Sequence, residues 1–369
     1  MKIIAFYLPQ FHTFAENDNW WGKGFTEWVS VKNAKPIIKG HQQPKIPLDS
    51  NYYDLSEVEV MEWQSTIAKE YGIYGFCYYH YWFDGKLLME KPMEQMLKNP
   101  KVDMPFCICW ANENWTRAWA QKNREVLIKQ TYSDEKDWEK HFEYLYQFWK
   151  DERYIKIDGM PLMVIYRPEI IPVLEEMLVC WQKLAKEKGM KGIAFAYQRA
   201  EYDHRYDKAG KYFKFGIEYQ PGCVKCFQEK SLIMLLKRSF NMLLSKTSIP
   251  LARWNTYSMS YDKAWKAILK MKPRDEKMIP GAFANWDATP RHKRRGSFYL
   301  GVTPEKFKKY LSSQIKHAKD VYKKDMLFMF AWNEWGEGGY LEPDEENQYQ
   351  MLESVREALK ENGEWPVER

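Results

Sequence analysis

Eight short apolar runs punctuate the chain: Ile3–Leu8, Gly75–Trp82, Pro105–Ala111, Leu162–Tyr166, Gly192–Tyr197, Phe215–Tyr219, Ile279–Ala284 and Met326–Ala331. None alternates polar with apolar residues, so each reads as a strand buried on both faces. Helical patterns lie between most of them. Asp54–Tyr71 places Val58, Met61, Ile67 and Ala68 at helix-compatible spacing, with Ser56 as its expected cap. Ser133–Lys150 opens Ser-Asp-Glu-Lys, which makes Ser133 an expected N-cap. Pro168–Lys188 stops before Gly189, a residue suited to the left-handed position after a helix. Thr303–Tyr322 begins with a cap and then proline at the first helical position, and Glu345–Leu359 closes the chain.

Buried strands alternating with helices predict a parallel sheet, and eight of them predict that it closes. The expected fold class is α/β, a single (β/α)8 TIM barrel forming one catalytic domain over residues 1–369. An open doubly wound sheet is the alternative, but no glycine-rich phosphate loop follows any strand. Two long insertions are expected. Residues 9–53 follow strand 1. Residues 221–260 lie between strands 6 and 7, and their apolar patch Leu232–Leu236 is a candidate helix that caps the barrel or meets a partner.

In such barrels the chemistry sits where the strands end. Strand 1 ends at Tyr7, followed by Gln10 and His12. Strand 2 ends in Tyr79, His80 and Trp82, and strand 3 leads to Asn112, Glu113 and Trp115. Strands 4, 5 and 6 end in Tyr166-Arg167, Tyr197-Gln198 and Glu218-Tyr219. Strand 7 gives Asn285, Trp286 and Asp287, and strand 8 gives Trp332, Asn333, Glu334, Trp335 and Glu337. Every strand thus brings an aromatic and a hydrogen-bonding group to one rim. Trp28, in the first insertion, joins this candidate set. Aromatic walls with amides and carboxylates suit a sugar, whose C–H faces stack on indole and whose hydroxyls bind carboxylates.

Composition sharpens this reading. Of 369 residues, 45% are hydrophobic and 29% charged, as in ordinary soluble proteins. The 17% aromatic share, with 17 Trp and 25 Tyr, is high, and its placement at strand ends favours stacking platforms over mere bulk. A nucleic-acid groove would interleave Lys and Arg with the rings, whereas this rim is neutral or acidic, so no nucleic-acid partner is expected. The net charge of +6 is spread out except at Arg291, His292, Lys293, Arg294 and Arg295. That run follows strand 7, where phosphate-binding barrels hold anions, and is a candidate contact for a charged group on a glycan, lipid carrier or nucleotide.

Among six cysteines, Cys107 and Cys109 share a strand face, and the single CxxC of Cys223 and Cys226 lacks a second pair. No metal, cofactor or disulfide framework is expected. No run approaches the ~20 apolar residues of a transmembrane helix. The start MKIIAFYLPQFH has too short an apolar run for a secretion signal, so a cytoplasmic setting is expected.

Glu334 and Glu337 end an apolar run among indoles and glycines. Residues three apart on a strand face opposite ways, so the pair converges only if the chain turns, which Gly336, Gly338 and Gly339 permit. Two converging carboxyls, one protonated and one ionised, are what glycosidic-bond cleavage requires.

The motifs WNEWGEG, YLPQFH, GFTEW, ANENW and NWDATPR together resemble the WbsX-type proteins. These are often labelled glycosyltransferases of surface-polysaccharide gene clusters and are related to glycoside hydrolase family 99. The resemblance spans Tyr7 to Glu342. It implies a (β/α)8 barrel that cleaves α-mannosidic bonds endo-wise with retention. Under it, Glu334 deprotonates the sugar's 2-hydroxyl, which attacks C1 to give a 1,2-anhydro sugar, and Glu337 serves as general acid and then base. Related hydrolases carry His between the pair, where this chain has Gly336. They also carry a basic-Trp-Asp pattern near Trp115, where Arg117-Ala118-Trp119-Ala120 lacks the Asp. Three functional readings follow: a metal-independent retaining glycosidase acting on an oligosaccharide or polysaccharide, a glycosyltransferase of surface polysaccharide (O-antigen or capsule) biosynthesis, and a catalytically silent glycan-binding barrel. No DxD motif stands at the strand ends to favour the transferase. Sugar, linkage and oligomeric state stay open.

Overall fold

The computed structural model describes residues 1–116, 125–199, 209–229 and 258–368. The eight apolar runs become β1 (Lys2–Tyr7), β2 (Gly75–Phe83), β3 (Phe106–Trp110), β4 (Met160–Ile165), β5 (Ala194–Arg199), β6 (Phe213–Glu218), β7 (Met278–Ile279 and Gly281–Phe283) and β8 (Met326–Phe330). Every ladder between them is parallel. β1 lies between β2 and β8, and the order runs on through β3, β4, β5 and β6.

Closure falls to β7, which Pro280 divides. Met278 and Ile279 pair with Gly216 and Ile217 of β6, while Gly281–Phe283 pair with Phe328–Phe330 of β8. Proline has no N–H for a ladder, so the break falls where one strand must serve two neighbours. Gly281 is required at this seam, since a Cβ there would lie 1.9 Å from the Glu218 carbonyl oxygen. The expected (β/α)8 barrel is therefore the observed one.

The strands are buried on both faces, as their sequences dictate. Phe6 meets Tyr79, Tyr219 and Phe328 at 5.5 Å, and Phe330 meets Tyr219 and Trp286 at 5.4 Å. These rings fill the barrel toward the C-terminal end at spacings typical of aromatic pairs. Each such burial is worth ~1.5–3 kcal/mol. On the outside, Trp181 of α6 (Leu174–Glu187) packs on Trp110 and Phe195, and Trp265 of α8 (Tyr261–Ile268) stacks on Phe283.

The helix expectations hold in place and miss in detail. α3 spans Val58–Glu70 and is preceded by Glu57, not capped by Ser56, whose amide instead binds Asp54 Oδ1 at 2.8 Å. α5 (Glu135–Trp149) is capped by Asp134, while the Ser133 hydroxyl donates to Asp84 Oδ2. α6 starts only at Leu174, after a 3-10 turn at Pro168–Ile170, and Gly189 takes the expected positive φ of +77°. α10 (Pro304–His317) carries its expected cap, with Thr303 accepting from the Lys306 amide. α11 covers Gln350–Glu361. The insertion after β1 forms α1 (Ala15–Trp21) and α2 (Glu27–Lys32). The patch Leu232–Leu236 and the stretch Arg117–Ala120 lie outside the described residues. Among the described residues, no helix is long and apolar enough to cross a membrane.

Candidate active site

Beyond β8 the chain forms β9 (Asn333–Glu334), a 3-10 turn at Trp335–Glu337 and β10 (Gly339–Tyr340), which returns antiparallel to β9. Asn333 anchors this hairpin to the end of β1. Its Oδ1 accepts from the Leu8 amide at 2.8 Å and its Nδ2 donates to the Leu8 carbonyl at 3.0 Å. The turn makes the two glutamates converge, but the glycines share the work unevenly. Only Gly338 has positive φ, at +62°. Gly339 makes room for Phe330, and Gly336 makes room for Glu27 and Arg291.

The pair converges on one cation. Arg291, on the short α9 (Thr289–His292), places Nη2 at 2.9 Å from Glu334 Oε1 and Nη1 at 3.2 Å from Glu337 Oε1. Its Nε lies 3.0 Å from Oε1 of Glu27, the first residue of α2. The Arg291, Glu27 and Glu334 side chains are 6%, 3% and 3% exposed, and that of Glu337 is 20% exposed. Glu337 is thus the pair's more open member. Burial opposes the charge on Arg291, but the three carboxylates hold it firmly protonated. Burial pushes the Glu334 carboxyl up to about 8, against the pull of Arg291 and with help from the charges of Glu337 and Glu27. Gln10 Nε2 stands 3.5 Å from Glu334 Oε1.

Asp287 holds the neighbouring loop. Its carboxylate accepts from His41, Gln43 and the Thr289 amide and hydroxyl at 2.6–3.0 Å. Burial alone would raise it, but these hydrogen bonds bring it below the usual carboxylate range. Its amide donates to the Glu337 carbonyl at 2.6 Å, tying the Arg291 loop to the acidic turn.

Side-chain alternation sorts the expected rim residues into two groups. Tyr79, Gln198, Tyr166 and Tyr219 come together inside the barrel. Tyr79 donates to Gln198 at 3.2 Å and packs edge-on to Tyr166, and burial followed by the charge of Glu337 raises the Tyr219 hydroxyl. Trp286 lies beside Phe330, with Lys225 Nζ 4.2 Å from its ring centre. Partly exposed Asn285 accepts from the Trp286 amide. Trp115 joins the mouth through Tyr81, 5.3 Å away edge-on.

The others face the helix layer or serve as clamps. Tyr7 donates to Gln64 of α3. His80 and Trp82 pack on His141 of α5 at 5.1 and 4.6 Å. Tyr197 reaches Met278, and Glu218 binds Tyr322 and Arg199. Trp332 packs on Phe76. Trp335 donates to Glu342, and Trp28 donates to the Tyr53 carbonyl. Asn112 clamps Arg167 through both its amide atoms, and Arg167 pairs with Glu113 and Glu169. His12 is fully buried, and burial drops it to about 4.

The expected anion contact at Arg291–Arg295 is corrected in part. Arg291 is buried among carboxylates, while Lys293, Arg294 and Arg295 are exposed. Strand-end reasoning misses two participants, Glu27, which stands in GFTEW beside Trp28, and Tyr81, which shares the face of Tyr79. It places Arg291 only within the basic run, as a contact for an anion rather than as the partner of the acidic pair. Burial and then the Glu334 charge raise the Tyr81 hydroxyl. Two clefts, of about 370 and 270 Å³, lie off the acidic pair, bordered by His41 and Asn347 and by Trp63 and Tyr349 respectively. Among the described residues, no cluster of His, Cys, Asp and Glu is arranged to hold a metal ion.

The chain is thus a closed parallel (β/α)8 barrel with an acidic cluster on the loops beyond its strand ends. The chain belongs to the WbsX family, whose model, described as glycosyltransferase WbsX, matches residues 3–355. It is 34% identical over 364 residues to the uncharacterized protein WxcX of Xanthomonas campestris pv. campestris, in each of two strains. The match covers 97% of this chain and 49% of WxcX, so the chain spans about half the length of the curated relatives it matches. Among solved structures it is similar to a glycoside hydrolase-like protein, with TM-score 0.57, 11% identity, and 97% and 93% of the two chains covered. It is also similar to the GH99 endo-alpha-mannosidase from Bacteroides thetaiotaomicron, with TM-score 0.55, 12% identity, and 97% and 96% covered. These structural likenesses establish the shared fold.

Proposed function

We propose that this chain cleaves or rearranges glycosidic bonds of a polysaccharide, with Glu334 and Glu337 as the acid–base pair. One observation carries the reading: both carboxylates meet a single buried guanidinium at the C-terminal mouth of a barrel, beside Tyr81 and Tyr219. Glu334, deep and electrostatically raised, is the stronger base once ionised, and takes the proton of the sugar's 2-hydroxyl. That oxygen bonds to C1 as the C1–leaving-oxygen bond breaks, and Glu337, the more open group, protonates the leaving oxygen. Glu337 then removes a proton from water, whose oxygen opens the anhydro ring, and Glu334 returns the proton to O2. The mouth supplies Trp115, Tyr166 and Tyr219 as ring partners and Gln10 as a hydrogen-bond donor. No metal is required by this route.

Transfer is the second reading, favoured by the family's description as glycosyltransferase WbsX. A sugar acceptor in place of water would use the same pair. An oligosaccharide-array screen with Glu337→Gln, followed by product analysis with the unaltered protein, tests the first reading: a captured glycan that the intact chain cleaves supports it. Calorimetry with a nucleotide-sugar panel tests the second, and binding there without hydrolysis of any captured glycan reverses the order.

A further inference from the structure

The guanidinium of Arg291 serves three carboxylates, one at each nitrogen: Glu27 at Nε, Glu337 at Nη1 and Glu334 at Nη2. Fully ionised, the cluster would hold three negative charges against one positive, with three of its four side chains almost wholly buried. Uncompensated charge in such a place is costly, and proton uptake relieves it. Glu27 is sealed into the cluster, since a Cβ on Gly336 would stand only 2.4 Å from its Oε1. Its Oε1 meets the guanidinium at Nε, which leaves Nη1 and Nη2 to the reacting pair.

We infer that Glu27 is a positioning residue that, through Arg291, keeps one proton on the Glu334–Glu337 pair. It draws part of the guanidinium's charge to itself, so that the cation is too weak a partner to hold both other carboxyls ionised. A pair that must act as one acid and one base needs this one-proton state, and in that purpose the inference rests on the glycosidase reading. Among the described residues, the other groups facing the pair do not supply a second strong counter-charge. Gln10 comes from the first insertion, Tyr81 from β2 and Tyr219 from β6, all neutral at ordinary pH. His292, on α9, interacts with Glu337, but burial and then the cations Arg291 and Lys225 hold it below its usual range.

The test is an infrared titration of the full chain, with the carboxyl bands assigned by Glu334→Gln and Glu337→Gln. In Glu27→Gln the ionisation midpoint of Glu334 is expected to fall by about one pH unit or more. A midpoint unmoved in folded Glu27→Gln overturns the inference. Arg291→Lys is the second variant. It keeps the charge but loses the fork that reaches three carboxylates at once, and is expected to raise the midpoint. If Glu27→Gln does not fold, an unmoved midpoint in Arg291→Lys overturns the inference. The titration needs no substrate, so its outcome stands apart from glycan turnover. A shifted midpoint with no glycan cleaved would sink the proposed function alone, and cleavage with an unmoved midpoint would sink this inference alone.

Discussion

Gly336 has no side chain, and Glu27 uses the space: a Cβ at 336 would lie 2.4 Å from Glu27 Oε1 and 2.7 Å from Arg291 Nε. The histidine that related hydrolases carry at this position cannot be accommodated while the Glu27–Arg291 pair stands. Gly336→Ala is therefore expected to destabilise the fold by about 1–3 kcal/mol. Combining it with Glu27→Ala should recover part of that loss, with a coupling of ~1 kcal/mol or more in a double-mutant cycle of urea unfolding. Simple additivity would show that the two sites do not share the space.

Glu334→Gln and Glu337→Gln are each expected to lower turnover of a captured glycan by roughly 10²–10⁴-fold. Both should keep the far-ultraviolet circular dichroism of the parent. Near-parental turnover in either variant removes that residue from the acid–base pair.

The pH profile tests whether the pair works with one proton. Burial raises Glu334 to about 8, so above that pH the pair has lost the proton that the leaving oxygen must receive. The plot of kcat/KM, which reports the free enzyme, is expected to fall as pH rises through about 8. A profile that stays level through that region would show that the pair does not work with a proton held there.

Glu342 lends itself to a stability test. It accepts from Tyr53, Trp335 and Gln64 at 2.6–2.8 Å, yet burial outweighs these bonds and pushes it from 4.5 to about 7. Across that window the folded chain keeps the proton and the unfolded chain has lost it. The group's contribution is therefore fully present below 4.5 and is lost as pH rises toward 7. The loss is about 3 kcal/mol. Glu342→Gln should flatten that part of the fall in Tm, as scanning calorimetry from pH 5 to 8 would reveal. An unchanged slope would show that Glu342 does not hold its proton in the folded chain.

Exposed Arg294 and Arg295 lie just beyond Arg291. Reversing both charges is expected to weaken capture of an acidic oligosaccharide by the Glu337→Gln protein about tenfold, while a neutral glycan binds as before. Equal affinity for the acidic glycan would leave these residues as a solvated loop.

The barrel was legible because strand burial is a local signal: eight apolar runs without alternation can only stack into a covered parallel sheet. The acidic pair was legible for a similar reason, since WNEWGEG places carboxylates directly after such a run. What the sequence concealed was direction and distance. His80 and Trp82 stand in the same run as Tyr79 and Tyr81, but a period of two turns them toward α5, so a list of strand-end residues overcounts the mouth. Glu27 and Arg291 are 264 positions apart. Nothing local distinguishes a buried arginine from its exposed neighbours, and only the folded chain shows which one was drawn inward.

The division of β7 at Pro280 has a mechanical side. The hoop of strands is fastened there by a clasp of two residues on one side and three on the other. The same stretch runs on through Asn285 and Asp287 to the helix bearing Arg291. Loosening that clasp would pull the counter-ion from its acids in the same stroke, so the soundness of the hoop and the charge balance of its mouth stand or fall at one joint.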